Sequence, residues 1–204
     1  MTGLLKKDFI MVGKNSKINL FIVALFFVIS LIAGENDLMS AMIIIMLSML
    51  VVYTFTLDAA SKWERYVLAL PVTRKDVVLS KYIIALLLTG IGAGITAFLK
   101  IASAFIQHRF TGWGTWYIFF VLSVLFLCLL LPLIFKFGAE KSQMLAFVAY
   151  GLPIVAVVLV MTFTGVTFNE NTFSFLFQIS PLILLAGIFI SYGISCRIYR
   201  NAEL

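Results

Sequence analysis

The chain has 204 residues, of which 63% are hydrophobic and 12% charged, and its mean hydropathy is +1.13. A soluble domain carries about 25% charged residues, so this composition excludes a soluble protein and predicts a single all-α membrane domain over residues 1–204. The net charge of +6 requires no nucleic-acid partner, since Lys and Arg of membrane proteins collect on the cytoplasmic side, where they face anionic membrane lipids.

The first 17 residues, MTGLLKKDFIMVGKNSK, place Leu5, Phe9 and Val12 on one face of a helix. We predict an interfacial helix over residues 1–17 that lies at the headgroups with its lysines toward lipid phosphate. The alternative is a plain positive flank of the first span. The apolar run that follows has no small-residue cleavage site after it, so we expect a retained span and no cleaved signal peptide.

Six apolar stretches are long enough to cross a hydrocarbon core of about 30 Å. Their predicted bounds are 18–34, 38–57, 82–106, 116–135, 143–165 and 181–196. Trp113, Trp116 and Tyr117 predict an aromatic belt at one membrane interface. Polar residues alternate with phenylalanines over residues 166–180, which suits either an outer re-entrant lid or a simple loop into the last span.

The positions of Lys and Arg predict the orientation of these spans. With the N-terminus in the cytoplasm, thirteen of the fifteen basic residues lie inside, Arg109 alone lies outside, and Lys100 lies within a span. This asymmetry predicts six spans with both termini cytoplasmic.

The longest polar interruption of the apolar sequence is the stretch 58–81, DAASKWERYVLALPVTRKDVVLSK, between the second and third predicted spans. At 100° per residue, its first half separates an apolar face from a polar face. The apolar face holds Ala59, Trp63, Tyr66, Val67 and Leu70. The polar face holds Ser61, Lys62, Glu64 and Arg65. From these residues alone, the apolar face can lie on the bilayer or insert into a groove on a partner protein.

Pro71 is predicted to end this first helix, because proline disfavours the helical conformation of the residue before it. Thr73 and Asp76 have the spacing of a capping box. A second helix is therefore predicted to begin there and to continue into the third span.

Residues 62–82, KWERYVLALPVTRKDVVLSKY, resemble the signature of type-2 ABC transporter permeases. That family typically shows W-E-x-Y-x-x-x-L-P-[VI]-[ST]-R-x-x-[VI]-V-x-[SA]-K-Y between its second and third spans. The resemblance implies a six-span permease in which residues 58–81 form a cytoplasmic coupling helix that seats in a groove of an ATPase subunit. The implied docking residues are Lys62, Trp63, Glu64, Arg65, Tyr66, Leu70, Arg74 and Lys75.

The same resemblance implies the partners of the chain. Two permease copies, or this chain and a homologue, pair with two ATPase subunits that hold ATP and Mg, while this chain itself holds no cofactor. The small permeases that it resembles most accompany exporters of phenol-soluble modulins and antimicrobial peptides, so we expect a bacterial plasma membrane and an amphipathic peptide or lipid-like substrate. The alternative is an ATP-independent transporter or an accessory membrane scaffold. An ion-coupled transporter usually carries intramembrane acids, and we place none deep in a span.

The residues predict neither an enzyme nor a metal site. There is no phosphate-loop motif, so ATP hydrolysis is expected on another chain. His108 is the only histidine and has no second ligand cluster. Ser48, Ser103 and Ser123 have no nearby base, and both cysteines fit small buried hydrophobes. We therefore predict no catalytic residues.

Lys100 is the only charge that we place inside a span. Its amine can snorkel to the outer headgroups, face a translocation path, or pair with Glu170, Glu35 or Asp37.

Gly90 and Gly94 form a G-x-x-x-G pattern in the same predicted span. Small residues at this spacing let two helices approach closely, so we predict a helix-packing or dimer face, with chance spacing as the alternative.

Overall fold

The structure, a computed structural model, describes residues 2–15, 17–33, 37–67, 72–107, 113–138, 141 and 170–201. Helices form wherever these residues have regular structure, and no strand occurs among them. The helices are α1 (Thr2–Asn15), α2 (Lys17–Ala33), α3 (Asp37–Ala60), α4 (Trp63–Val67), α5 (Arg74–Gln107), α6 (Gly114–Phe137) and α7 (Glu170–Asn201). The predicted all-α class is thus confirmed for the described part of the chain.

Four of the described helices are long and apolar enough to cross a membrane. Their candidate spans are Met39–Ala60, Arg74–Phe105, Trp116–Phe137 and Phe177–Asn201. They correspond to the second, third, fourth and sixth predicted spans. The first predicted span forms the 17-residue α2. α2 is bent by 69° relative to α1, and the two helices add a fifth candidate if they are counted as one span. The fifth predicted span, 143–165, lies outside the described residues.

The central helix is α3, which packs against α2, α5 and α6, while α6 also packs against α7. Ile43, Ile44 and Val51 on α3 have no solvent exposure. Contact with α5 is close at Gly92, where an added Cβ would lie 3.2 Å from the Cα of Ile44. The missing side chain of Gly92 therefore sets the distance between the two central helices.

Replacing Gly92 with leucine is expected to force α3 and α5 apart, because the new side chain meets the backbone of Ile44. Overpacking of this kind typically costs about 1–3 kcal/mol, which should lower the unfolding temperature of the purified chain. Gly90→Leu is the matched control, since no described atom lies within 4 Å of a Cβ built at Gly90. Equal losses in the two variants would contradict close packing at Gly92.

The buried hydroxyls of α3, α5 and α6 are mostly satisfied within their own helices. Ser48, Thr54, Thr89, Thr96 and Ser123 each donate to a backbone carbonyl three or four residues earlier. This local pairing lets a hydroxyl enter an apolar bundle without leaving an unpaired donor.

The buried stripe of α1 differs from the predicted face. Leu4, Asp8 and Val12 point inward with exposed fractions of 7%, 1% and 6%, whereas Phe9 is 55% exposed. Through this stripe α1 packs against α3 and α5. This stripe is centred on the buried carboxylate of Asp8 and shares only Val12 with the apolar face named from the sequence. Contact between the lysines of α1 and lipid headgroups stays a prediction.

Candidate docking site

The stretch 58–81, which we call the docking stretch, connects α3 to α5. It lies at one end of the bundle, which we call the α4 end. We predicted one continuous amphipathic helix through residues 59–70, and this is wrong. α3 ends at Ala60, and its last turn closes when the amide of Ser61 donates to Leu57 and that of Lys62 to Ala59. Lys62 has a φ of 52°, in the left-handed region, so the chain turns before α4 begins at Trp63.

This break divides the predicted apolar face. Tyr66 points outward and is 65% exposed, whereas Val67 is 3% exposed and belongs to the core. Trp63 is half-buried against the core, with the amine of Lys7 lying 4.2 Å from its ring centroid. Leu70 lies outside the described residues. The side chains of Glu64 and Arg65 also lie outside them.

The predicted capping box at the start of α5 is confirmed. The backbone N–H of Thr73 donates to Oδ2 of Asp76 over 3.0 Å, and the backbone N–H of Asp76 donates to Oγ1 of Thr73 over 3.2 Å. Both bonds are local in sequence, which explains why the T-x-x-D spacing was sufficient to predict them. They fix the point at which the stretch 58–81 returns to the bundle.

Arg74 holds the last helix. Its Nη1 donates to the backbone carbonyl of Tyr199 over 3.1 Å and to that of Arg200 over 2.8 Å. The last carbonyls of a helix have no partner within the helix, and they carry the negative end of its dipole. Arg74 therefore caps α7 from α5, while the neighbouring Lys75 is exposed.

A buried cluster of four charged side chains lies beneath α4, and we call it the charge cluster. Its members are Lys7, Asp8, Asp58 and Lys81. The amine of Lys7 lies 2.6 Å from Asp58 and 3.1 Å from Asp8. The amine of Lys81 likewise lies 2.6 Å from Asp58 and 3.1 Å from Asp8. Each cation thus contacts both carboxylates, and the four charges sum to zero.

The surroundings of the charge cluster complete its pairing. The amine of Lys81 also donates to Oγ1 of Thr54 over 3.2 Å and lies 4.9 Å from the ring centroid of Phe55. The Lys81 and Asp8 side chains are 5% and 1% exposed. A buried charge is tolerated when its pairing and hydrogen bonding are this complete. The cluster ties α1, α3 and α5 together beside α4.

The sequence analysis missed the charge cluster, because it grouped Asp58 and Lys81 with the polar stretch 58–81. One signal could have found it. Asp58 directly follows one predicted span and Lys81 directly precedes the next, so both had to lie near the ends of adjacent apolar helices. Charges at such positions need a partner or a route to water.

Lys100 is 6% exposed and thus lies inside the bundle. The side chains of its three predicted acidic partners lie outside those that the structure describes. A role for Lys100 in a translocation path stays a prediction.

Gly90 and Gly94 are exposed, and no described atom lies within 4 Å of a Cβ built on either residue. Close packing between α3 and α5 occurs at Gly92, on another side of the helix. A packing or dimer face at Gly90 and Gly94 stays a prediction.

Comparison with known proteins adds one finding. The chain matches the model of a family described as "ABC-2 family transporter protein" over residues 3–200, a range that includes the whole docking stretch and the charge cluster. No curated protein and no solved structure matches the chain.

Proposed function

The chain belongs to the ABC-2 family of transporter proteins, which are membrane components of ABC transporters, and from this premise we propose that it is the transmembrane subunit of an ATP-driven exporter. In this proposal a separate ATPase subunit binds and hydrolyses ATP with Mg, since the sequence contains no phosphate loop. The permease contributes the path across the membrane and a surface on which the ATPase docks.

The observation that carries the proposal is the geometry of the α4 end. Tyr66 projects from the five-residue helix α4, and chain segments before and after α4 are anchored in the bundle. Asp58 and Lys81 anchor it through the charge cluster, and Arg74 anchors it to α7. An exposed aromatic side chain on a rigid support suits the helix-in-groove mode of recognition, because little freedom is lost on binding.

We assign the docking residues different tasks within this proposal. Tyr66 inserts into the groove, and the exposed cations Lys62 and Lys75 orient the partner by charge. Trp63 supports the surface from the bundle side, because its ring packs against the amine of Lys7. Glu64, Arg65 and Leu70 stay predicted contacts.

We further propose that the α4 end is cytoplasmic, with six spans, both termini inside and a dimer of permease subunits in a bacterial plasma membrane. The cations at this end support the orientation, since exposed Lys and Arg favour the cytoplasmic side. Among the described residues, the exposed cations at the α4 end include Lys62, Lys75, Lys136, Arg197 and Arg200. At the opposite end of α6, Trp113 and Trp116 lie edge to face with ring centroids 5.7 Å apart, as suits an aromatic belt.

The proposed substrate is an amphipathic peptide, such as a toxin or an antimicrobial peptide, or a lipid-like molecule that leaves the cell. This part rests on the resemblance of the chain to the small permeases that accompany peptide exporters.

The first step of the test is to identify a phosphate-loop ATPase gene next to the gene of this chain, and the second is to reconstitute the two proteins together. We expect the two to co-purify, and we expect vesicles containing both to accumulate a labelled amphipathic helical peptide only when ATP and Mg are supplied. Transport by the permease alone without ATP would favour the ATP-independent transporter. Absence of both co-purification and transport would favour the accessory scaffold.

A further inference from the structure

Pro132 lies inside the continuous helix α6, near the α4 end, where it interrupts the ladder of backbone hydrogen bonds; we call this site the Pro132 break. Proline has no backbone N–H, so the carbonyl four residues earlier, that of Cys128, lacks its usual partner within the helix. The structure supplies a replacement from another helix, because Oγ of Ser191 on α7 donates to this carbonyl. Ser191 is 3% exposed, and an unpaired carbonyl at such a position would be costly.

This bond gives a direction to a longer chain of hydroxyls. Oγ of Ser191 also lies 2.6 Å from the hydroxyl of Tyr82, which in turn lies 2.8 Å from Oγ of Ser195. A serine hydroxyl has one hydrogen, and that of Ser191 is directed at Cys128. Tyr82 must therefore donate to Ser191, and Ser195 to Tyr82. The resulting chain runs from α7 through α5 and back through α7 to the proline break in α6.

The position of Tyr82 connects this chain of hydroxyls to the charge cluster. Tyr82 directly follows Lys81 of the charge cluster and is itself 4% exposed. Most other buried serines and threonines bond within their own helix, whereas this chain joins three helices. Tyr82 thus connects α5, the helix that leaves the docking stretch, with the site of Pro132 in α6.

We propose that Tyr82 is a positioning residue that carries displacement of the docking stretch through Ser191 to the Pro132 break, where α6 bends when the ATPase partner binds nucleotide. Proline is a common cause of helix bending, because it removes one bond of the helical ladder. Ser191 on α7 replaces that bond, and the hydroxyl of Tyr82 connects Ser191 to α5. The inference rests on the proposed function for its driving force, but the link between Ser191 and Pro132 does not.

The link itself is tested on the purified permease alone, by a double-mutant cycle between Ser191→Ala and Pro132→Ala. In the natural background, Ser191→Ala leaves the Cys128 carbonyl unpaired and should lower the unfolding temperature by roughly 2–4 °C. Alanine at position 132 restores an N–H to that carbonyl, so the same Ser191→Ala change should then cost about half as much or less. Equal costs in both backgrounds would overturn the link.

Bending is tested in the reconstituted permease–ATPase complex with spin labels on α6. Leu122 and Phe137 are exposed, lie on either side of Pro132, and accept labels once Cys128 and Cys196 are replaced by alanine. A non-hydrolysable ATP analogue should shift the distance between the labels in the natural background. Tyr82→Phe and Pro132→Ala should abolish the shift while the ATPase still co-purifies.

A purely structural role for the hydroxyl chain predicts something different. Pro132→Ala, which completes the helical ladder, would then raise the unfolding temperature and leave the shift intact. Tyr117→Phe is the matched control, since Tyr117 also bonds a serine of α7, Ser180, but far from Pro132. A shift that persists in Tyr82→Phe, or is absent from the natural protein, overturns the proposal. Failure of the ATPase to bind overturns the proposed function, and the thermal cycle still decides the link.

Discussion

Asp58→Asn should destabilise the chain by about 3–5 kcal/mol, which is the usual cost of removing one partner from a buried charge pair. Asp58 is the nearest carboxylate to both lysines of the charge cluster, at 2.6 Å from each amine. Asparagine keeps the shape but leaves two buried cations facing one carboxylate. The measurement is the free energy of unfolding of the purified chain in mild detergent. Because α1 is held by the same contacts, proteolysis within residues 2–15 should also become faster.

The double variant Asp58→Asn/Lys81→Met separates charge imbalance from lost packing. It removes one charge of each sign and leaves Lys7 beside Asp8 at 3.1 Å, so much of the lost stability should return. Asp76→Asn is a control for loss of an acid outside the cluster and should have a smaller effect. If the double variant is as unstable as the sum of its two single variants, the charge cluster is not the source of the loss.

Tyr66→Ala should weaken association with the ATPase subunit at least about 30-fold, which corresponds to the 2 kcal/mol or more of an aromatic binding hot spot. Tyr66 is 65% exposed, and its neighbours Trp63 and Val67 make the contacts with the core. Removal of the Tyr66 side chain should therefore leave the unfolding temperature nearly unchanged. The measurement is the dissociation constant of the permease, held in lipid nanodiscs, for the purified ATPase.

The matched control for Tyr66→Ala is Phe189→Ala, which removes an aromatic side chain of similar size that is 72% exposed on the membrane-spanning α7. This variant should bind the ATPase as the natural chain does. Trp63→Ala is expected to weaken association and to lower stability, because Trp63 packs against the core and under Lys7. Unchanged binding by Tyr66→Ala would remove the docking role from α4.

Features that depend on neighbours in sequence could be predicted. Four candidate spans follow directly from long apolar runs, since hydrocarbon length and helical rise fix what a span must be. The capping box of Thr73 and Asp76 followed from a three-residue spacing. The break at Lys62 did not, because helical periodicity continued through it and Lys62, not glycine, adopts the left-handed conformation that ends the helix.

Features of the candidate site that depend on distant residues could not be predicted in this way. The sequence placed Tyr66 correctly on an exposed surface, but it grouped Trp63 and Arg74 with it. Trp63 packs against Lys7 of α1, and Arg74 caps the end of α7 at Tyr199, 125 residues later in the chain. A local pattern records which residues can share a face, but it does not record which distant group occupies that face.

The sequence separations within the charge cluster set an order of assembly during synthesis. Lys81 and Asp58 are 23 residues apart, so they can meet as soon as α5 leaves the ribosome and packs beside α3. Asp8 lies 73 residues before Lys81, so its carboxylate is synthesised long before this partner. We therefore expect α1 to pack against α3 and α5 only after those two helices have met.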